Sequence, residues 1–175
     1  MVYAVTGGVA AIWVLLDQAT KVLAVATLQG RGAVDAGLGG LVEWHLVRNT
    51  DAAFNIPAFT GMFVLVSIVV FGIVLRALPR TDRLSLAFAY GLVSGGALGN
   101  LADRLFREPG FPNGGVVDFI SIGWWPKFNL ADAGIVVGAL LILLLMFLVE
   151  REERAREEAR ASTASVRPDT AGPRG

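Results

Sequence analysis

The sequence predicts an all-α integral membrane protein, built as a bundle of four transmembrane helices that carries a small sheet at its outer face. Of its 175 residues, 54% are hydrophobic, and the mean hydropathy of +0.60 is too high for an ordinary soluble domain. Four stretches are long enough to cross about 30 Å of hydrocarbon, which takes roughly 20 residues each. They cover Tyr3–Leu28, Phe59–Leu78, Leu84–Leu101 and Ala131–Val149.

The four spans differ in composition. The second and the fourth are almost free of charge, whereas the first contains two charged residues. In the third span, Gly91, Gly95 and Gly99 recur every four residues, and Gly134 and Gly138 repeat this spacing in the fourth. Stripes of small residues let helix backbones approach closely. We therefore expect the third and fourth spans to pack tightly and to bring their polar ends together.

A small sheet is expected in the loops beside these polar ends. The segment Leu41–Val47 alternates, so that Val42, Trp44 and Leu46 would face one way and the residues between them the other. Gly115–Ser121 follows a turn sequence and reads as a second extended segment. Together they predict a small outer sheet.

Arginines near the span ends predict the orientation in the membrane, because cytoplasmic loops carry the excess of Lys and Arg. The second loop and the segment after the fourth span hold most of them, namely Arg76, Arg80, Arg83, Arg151, Arg154, Arg156 and Arg160. Both termini are therefore expected in the cytoplasm, and loops 29–58 and 104–130 on the outer side. We divide the chain into a membrane domain, 1–150, and a tail, 151–175, which starts as a charged helix and ends as a disordered cytoplasmic extension.

Composition also excludes several kinds of function. A net charge of zero gives no electrostatic basis for binding nucleic acid. The absence of cysteine excludes thiolate nucleophiles and zinc–sulfur sites, and His45 as the only histidine excludes a multi-histidine metal site. Neither a His-Glu-x-x-His helix nor a Gly-x-Ser-x-Gly elbow is present. A serine–lysine dyad of Ser94 and Lys21 stays open, and we predict no metal and no cofactor.

Two aspartates point to chemistry. Asp118 lies in the apolar run Gly115–Ile120, and Asp132 lies at the start of the fourth span. An ionisable side chain at membrane depth is costly, which makes it a candidate functional group by default. Two carboxylates held close together would share one proton, as acid–base chemistry by a pair of aspartates requires. Asp132 could instead cap its helix.

Other polar residues share helix faces near the same ends. They are Asn100, Asp103 and Arg104 on the third span, Asn129 and Asp132 on the fourth, and Asp17 and Lys21 on the first. A structural ion pair is the alternative interpretation for Asp103 with Arg104, and also for Asp17 with Lys21. Neither alternative explains Asp118, which has no basic neighbour in the sequence.

From about Val14 to Val149 the chain resembles the lipoprotein signal peptidases, the signal peptidase II family. Five blocks carry the resemblance and occur in the family's order: Asp17–Lys21, Arg48–Phe54, Gly95–Arg104, Val116–Phe119 and Phe128–Asp132. Five blocks in order, each beside the expected span, make the resemblance highly specific.

The resemblance implies an intramembrane aspartic endopeptidase of the bacterial cytoplasmic (inner) membrane. It would remove signal peptides from diacylglyceryl-modified prolipoproteins by cutting before the lipidated cysteine, with a water activated by the catalytic pair Asp118 and Asp132. Substrate-binding and supporting residues would be Asn49, Asn100, Asp103, Arg104 and Asn129, with Asp17 and Lys21 as further polar support. The implied fold is a four-helix bundle with an outer β-cradle. The partners would be lipidated prolipoproteins and membrane lipids, and the protein would act as a monomer.

One position departs from the family pattern. Asp51 stands where members usually have glycine. Aspartate adopts positive φ less readily than glycine, and an added carboxylate near the site would raise the pKa of the aspartate pair. The departure concerns the geometry of this loop and leaves the reaction class unchanged.

Two other classes of function compete with this interpretation. A proton-coupled transporter or channel subunit also uses buried carboxylates, but its relay residues would be spread through the depth of the bundle. Here they gather at one face. A purely structural membrane subunit leaves Asp118 unexplained.

Overall fold

The computed structural model describes residues 1–50, 58–111 and 114–165, and Asp51 lies outside these ranges. Helices and strands follow in the order α1 Val2–Leu28, β1 Val34–Asp35, β2 Val42–Asn49, α2 Ala58–Ala77, α3 Leu84–Phe106, β3 Val116–Ile122 and α4 Leu130–Ser165. A short 3-10 turn, Leu78–Arg80, follows α2.

Among the described residues, three helices are long and apolar enough to cross a membrane. They are α1, α3 and the part of α4 from Leu130 to Arg160. Three of the four predicted spans are thus helices of the length and composition that a membrane span requires. Helix α2 occupies the place of the second predicted span, and that it crosses the membrane stays a prediction. Helix α4 continues through the charged segment to Ser165, and the residues after it lie outside the described part.

Helix α3 forms the centre of the bundle and packs against α1, α2 and α4. Its glycines lie where neighbouring helices come closest, as the spacing of small residues predicts. A Cβ on Gly91 would lie 2.6 Å from the Cβ of Val9, and one on Gly95 would lie 2.9 Å from the carbonyl oxygen of Ala10. Likewise, a Cβ on Gly96 would clash with the carbonyl oxygen of Ala131. These contacts set the separation of α3 from α1 and α4.

The strands form one antiparallel sheet in the order β1-β2-β3. Trp44 of β2 lies opposite Ile120 of β3, and Val47 lies opposite Asp118, with a register shift between Trp44 and Val47. Both predicted extended segments are confirmed as β2 and β3. The two-residue strand β1 was not predicted, because two residues cannot display an alternating pattern.

The sheet is anchored to the end of α1. Ala24 and Leu28 of α1 form a buried apolar cluster with Val117 and Phe119 of β3. Successive side chains of a strand point to opposite faces, so this anchoring turns Asp118 away from the cluster. Because α1 and α3 end and α4 begins at this end of the bundle, the sheet holds Asp118 near the first turn of α4.

We expect Gly96→Ala to destabilise the fold by about 1–3 kcal/mol, because the added methyl would overpack the contact between α3 and α4. The measurement is thermal unfolding in detergent. Gly72→Ala on α2 is the matched control, since a Cβ there meets nothing within 4 Å. Equal melting temperatures for the two variants would contradict the close packing described for Gly96.

Candidate active site

The start of α4 positions Asp132. Asn129 precedes the first residue of the helix, and its Oδ1 accepts a hydrogen bond of 3.0 Å from the backbone N–H of Asp132. In return, Oδ2 of Asp132 accepts one of 3.1 Å from the backbone N–H of Asn129. This reciprocal pair is a capping box. The helix-cap interpretation of Asp132 is therefore right as local structure, and the cap leaves Oδ1 of Asp132 for other contacts.

Asn100 of α3 supplies the contact to Oδ1 of Asp132. Its Nδ2 donates to that oxygen at 2.7 Å. Its own Oδ1 accepts from Nδ2 of Asn129 at 3.2 Å and from Nζ of Lys21 at 3.0 Å. Asn100 thus joins the first turn of α4 to α1.

Asn129 also links the two aspartates. Its Nδ2 donates to Oδ1 of Asp118 at 2.7 Å, while its backbone N–H donates to Asp132. The second oxygen of Asp118 accepts a bond of 3.2 Å from Nδ2 of Asn49 on β2. The structure thus brings Asp118 and Asp132 together around one asparagine, although they lie on different elements. Their catalytic role stays a prediction.

Behind these residues lies a buried cluster of charges. Lys21 and Asp17, both with fully buried side chains, form the expected ion pair at 2.8 Å between successive turns of α1. Lys21 also contacts Asp103 of α3 at 2.9 Å, and Arg107 contacts the other oxygen of Asp103 at 2.6 Å. The structure thus pairs Asp103 with Lys21 and Arg107, whereas the sequence suggested a pair with Arg104.

Arg104 contacts the backbone at the edge of the sheet. Its Nη1 donates to the carbonyl oxygen of Asn49 at 2.9 Å and to that of Gly114 at 3.1 Å. One guanidinium group therefore holds the end of β2 beside the residues that lead into β3. This contact places the side chain of Asn49 within reach of Asp118.

The two aspartates line a cavity of about 250 Å³. Polar groups in its lining come from Asn49, Asn100, Arg104, Asp118 and Asp132. The other lining residues are Val66, Ser67, Val116 and Ile135. The lining thus combines a few hydrogen-bonding groups with apolar side chains, as small-molecule binding sites commonly do.

Some of these residues were not predicted. Val66 and Ser67 belong to an apolar helix without a polar signal, so no sequence pattern marks them. Gln18 lies next to Asp17, and its Nε2 donates to both Asp17 and Asp103 at 3.1 Å. The sequence signal that could have identified Gln18 is its position next to Asp17, in the first of the five blocks. Arg107 follows Asp103 by four residues, a spacing that places both on one helix face.

The serine–lysine alternative finds no support in the contacts of either residue. Lys21 bonds to Asp17, Asp103 and Asn100, whereas Oγ of Ser94 is buried without a hydrogen-bond partner in the described part of the chain. Within the same ranges, no group of three His, Cys, Asp or Glu side chains is arranged to hold a metal ion.

The surroundings of Asp118 favour its protonated form. Burial raises the pKa of Asp118 to about 6, and the nearby carboxylate of Asp132 acts in the same direction. The amides of Asn49 and Asn129 oppose this shift, because they donate hydrogen bonds that favour the ionised form. A pair with one protonated and one ionised carboxyl can serve as acid and base together.

Comparison with known proteins gives consistent matches. A family model described as signal peptidase (SPase) II matches residues 9–148. A lipoprotein signal peptidase of Rhodococcus jostii (strain RHA1) is 46% identical over 143 residues, which cover 80% of this chain and 71% of the relative. One from Mycobacterium leprae (strain Br4923) is 44% identical over 140 residues, with 78% and 68% covered.

Solved structures also resemble this one. A bacterial membrane enzyme determined by the in meso method at 1.9 Å resolution superposes with a TM-score of 0.69 at 27% identity, over 81% of this chain and 91% of that one. A second structure with the same description, at 2.3 Å resolution, gives a TM-score of 0.67 over 81% and 87% of the two chains, also at 27% identity.

We expect Asp132→Asn to lower the pKa of Asp118 from about 6, since it removes the neighbouring negative charge. The value should stay above 3.8, because Asp118 remains buried. Titration of the ¹³C-labelled aspartate carboxyl groups measures the change. Asp82→Asn, an exposed position outside the cavity, should leave the titration unchanged. An unaltered pKa in Asp132→Asn would show that the two carboxylates do not interact.

Proposed function

The chain belongs to the signal peptidase II family, and we propose that it removes signal peptides from lipid-modified prolipoproteins as an aspartic endopeptidase. The observation that carries the proposal is the joining of Asp118 and Asp132 by Asn129 at the wall of one cavity. The cut would fall before the lipidated cysteine of the substrate. The relatives' name, lipoprotein signal peptidase, supports this substrate class.

The proposed reaction divides the two carboxyl groups between two tasks. The ionised carboxylate takes a proton from a water molecule, whose oxygen attacks the scissile carbonyl carbon. The protonated carboxyl donates its proton to the carbonyl oxygen. Collapse of the tetrahedral intermediate breaks the carbon–nitrogen bond. The leaving amine takes the proton that came from water, and one hydroxyl group of the intermediate returns its proton to the carboxyl group that had donated it, which restores the pair. Asp118 suits the protonated role because burial and the nearby carboxylate of Asp132 raise its pKa to about 6.

The supporting residues would bind the substrate and hold the pair. The side-chain amides of Asn49, Asn100 and Asn129 each donate to one of the aspartates, so they orient both carboxyl groups. Arg104 lines the cavity and holds the end of β2. The cluster of Asp17, Lys21 and Asp103 lies behind Asn100 and supports it from α1 and α3.

In the proposed membrane arrangement, α2 is the fourth span of a monomeric bundle. The sheet lies at the outer surface of the bacterial cytoplasmic membrane, and both termini are cytoplasmic. The acyl chains of the substrate stay in the bilayer, while its peptide reaches the cavity at the interface. The peptidase domain comprises residues 1–150, and residues 151–175 form a tail without a part in the chemistry.

We expect Asp118→Asn and Asp132→Asn each to lower the rate of signal-peptide release by about 10⁴-fold, because each keeps the shape of the side chain but removes its titratable group. Incubation of the purified protein with a lipidated prolipoprotein measures the release. Asp35→Asn, an exposed position on β1, is the matched control and should cleave normally. Substantial release by either site variant would refute the assigned pair.

The orientation predicts where single cysteines react, and the natural chain contains no cysteine to interfere. Leu38, which is 61% exposed, lies between β1 and β2, and Asp82 lies between α2 and α3 at the other end of the bundle. In intact cells, an impermeant maleimide should label Leu38→Cys but should label Asp82→Cys only after lysis. The reverse pattern would place the cavity on the cytoplasmic side.

A further inference from the structure

Lys21 makes a contact that its ion pairs do not explain. An ammonium group has three N–H donors, and here Asp17 and Asp103 take two of them at 2.8 and 2.9 Å. The third donates to Oδ1 of Asn100 at 3.0 Å, a neutral acceptor. Two buried carboxylates already balance the charge of Lys21 and, through Asp103, that of Arg107. Charge balance therefore does not explain the contact of Lys21 with Asn100.

This contact determines which way the amide of Asn100 points. A terminal amide can flip to exchange its oxygen and nitrogen, and its partners decide between the two orientations. An ammonium only donates, so it must face the amide oxygen. The NH₂ group is then directed at Asp132, to which it donates at 2.7 Å. In the flipped orientation, Asp132 would face an oxygen atom in place of a donor.

The amide of Asn129 is held in a compatible orientation, because its Oδ1 accepts from the backbone N–H of Asp132 at 3.0 Å. Its Nδ2 shares its two protons between Oδ1 of Asn100 and Oδ1 of Asp118. With the orientation of Asn100 set by Lys21, a single arrangement of donors extends from α1 through both asparagines to both aspartates. Reversal of Asn100 would point its NH₂ group at that of Asn129, so the chain of bonds has one stable direction.

We propose that Lys21 is a positioning residue of the aspartate pair: through Asn100 it directs a hydrogen-bond donor to Asp132, so that the negative charge rests on Asp132 and the proton on Asp118. The inference rests on the proposed function for the use of this asymmetry in catalysis. The asymmetry itself is a property of the protein without substrate.

In the described part of the chain, the charged groups of the pair and its surroundings come from four elements. Helix α1 contributes Asp17 and Lys21, α3 contributes Asp103, Arg104 and Arg107, α4 contributes Asp132, and β3 contributes Asp118. Of the side chains that the structure describes on α2 and β2, those that line the cavity are the uncharged Val66, Ser67 and Asn49. Any test must therefore separate the contact through Asn100 from a direct effect of the charge on Lys21.

The double variant Asp17→Asn with Lys21→Met makes this separation. It removes one negative and one positive charge together, so the buried cluster stays balanced. The amide introduced at position 17 keeps an oxygen for the backbone N–H of Ala131, which Asp17 binds at 2.9 Å. We expect the pKa of Asp118, followed by its ¹³C carboxyl shift, to fall, because Asp132 loses its directed donor and Asp118 takes part of the charge. Through space alone, Lys21 lowers the pKa of Asp118, so loss of its charge would raise that pKa.

The sign of the change therefore decides the question. A fall supports the proposal, and a rise or no change overturns it. Asn100→Leu leaves the ion pairs of Lys21 in place but removes the donor to Asp132, so it should lower the pKa of Asp118 by itself. When Asn100→Leu is combined with the double variant, the pKa of Asp118 should fall no further than in Asn100→Leu alone, as expected for residues that act through one contact. If the double variant lowers the pKa of Asp118 by the same amount with and without Asn100→Leu, the effect does not pass through Asn100 and the proposal is overturned.

A cleavage assay on the same proteins keeps this inference distinct from the proposed function. If the wild type releases signal peptides and the titrations do not shift as expected, only the role of Lys21 fails. If the titrations shift but the wild type releases no peptide, the proposed function fails and the asymmetry of the pair stands. Should the double variant not fold, Asn100→Leu alone decides, since an unchanged pKa of Asp118 in it overturns the proposal.

Discussion

The first turn of α4 is held from α1, and the arrangement of the cavity depends on this attachment. Nε1 of Trp13 donates to the carbonyl oxygen of Leu130 at 3.0 Å, and Oδ1 of Asp17 accepts from the backbone N–H of Ala131 at 2.9 Å. The backbone N–H groups at a helix start lack partners within the helix, so a carboxylate from another helix can fix the position of that turn. Asp132 is the next residue, and its place follows from these bonds.

The same attachment explains why charges are buried here. A buried ion pair loses much of its electrostatic gain to desolvation, and apolar side chains of similar volume often stabilise a fold equally well. An apolar pair, however, cannot form directional hydrogen bonds to neighbouring elements. Asp17 contacts both the ammonium of Lys21 and the backbone of α4, and Asp103 contacts Lys21 and the backbone N–H of Val117 at 3.2 Å. The cluster thus relates α1, α3, α4 and β3 to one another through directional bonds.

Much of this arrangement could be predicted from the sequence. Hydropathy and glycine spacing predict helices and close packing, because both depend on residue type and period alone. Asp118 stands out as a charge in an apolar strand. The bonds from Asp17 to α4 and from Asp103 to β3 could not be predicted, because they join elements distant in the chain and depend on how the helices pack. The apolar lining from α2 also has no signal, since Val66 resembles every other apolar residue of that helix.

The register shift in β2 also could not be predicted from the sequence, because an alternating pattern does not reveal an extra residue. Between Trp44 and Val47 the strand holds one residue more than β3 does, as in a β-bulge. Val47 then lies opposite Asp118, and Asn49 shares the face of Val47 because side chains repeat every two residues. Loss of that one residue would remove the bulge and leave Val47 opposite Asp118, whereas loss of two residues would bring Arg48 opposite Asp118. The bulge therefore gives this segment a tolerance of one residue: a strand shortened by one still presents Asn49 on the side of Asp118, whereas a strand shortened by two presents Arg48 there.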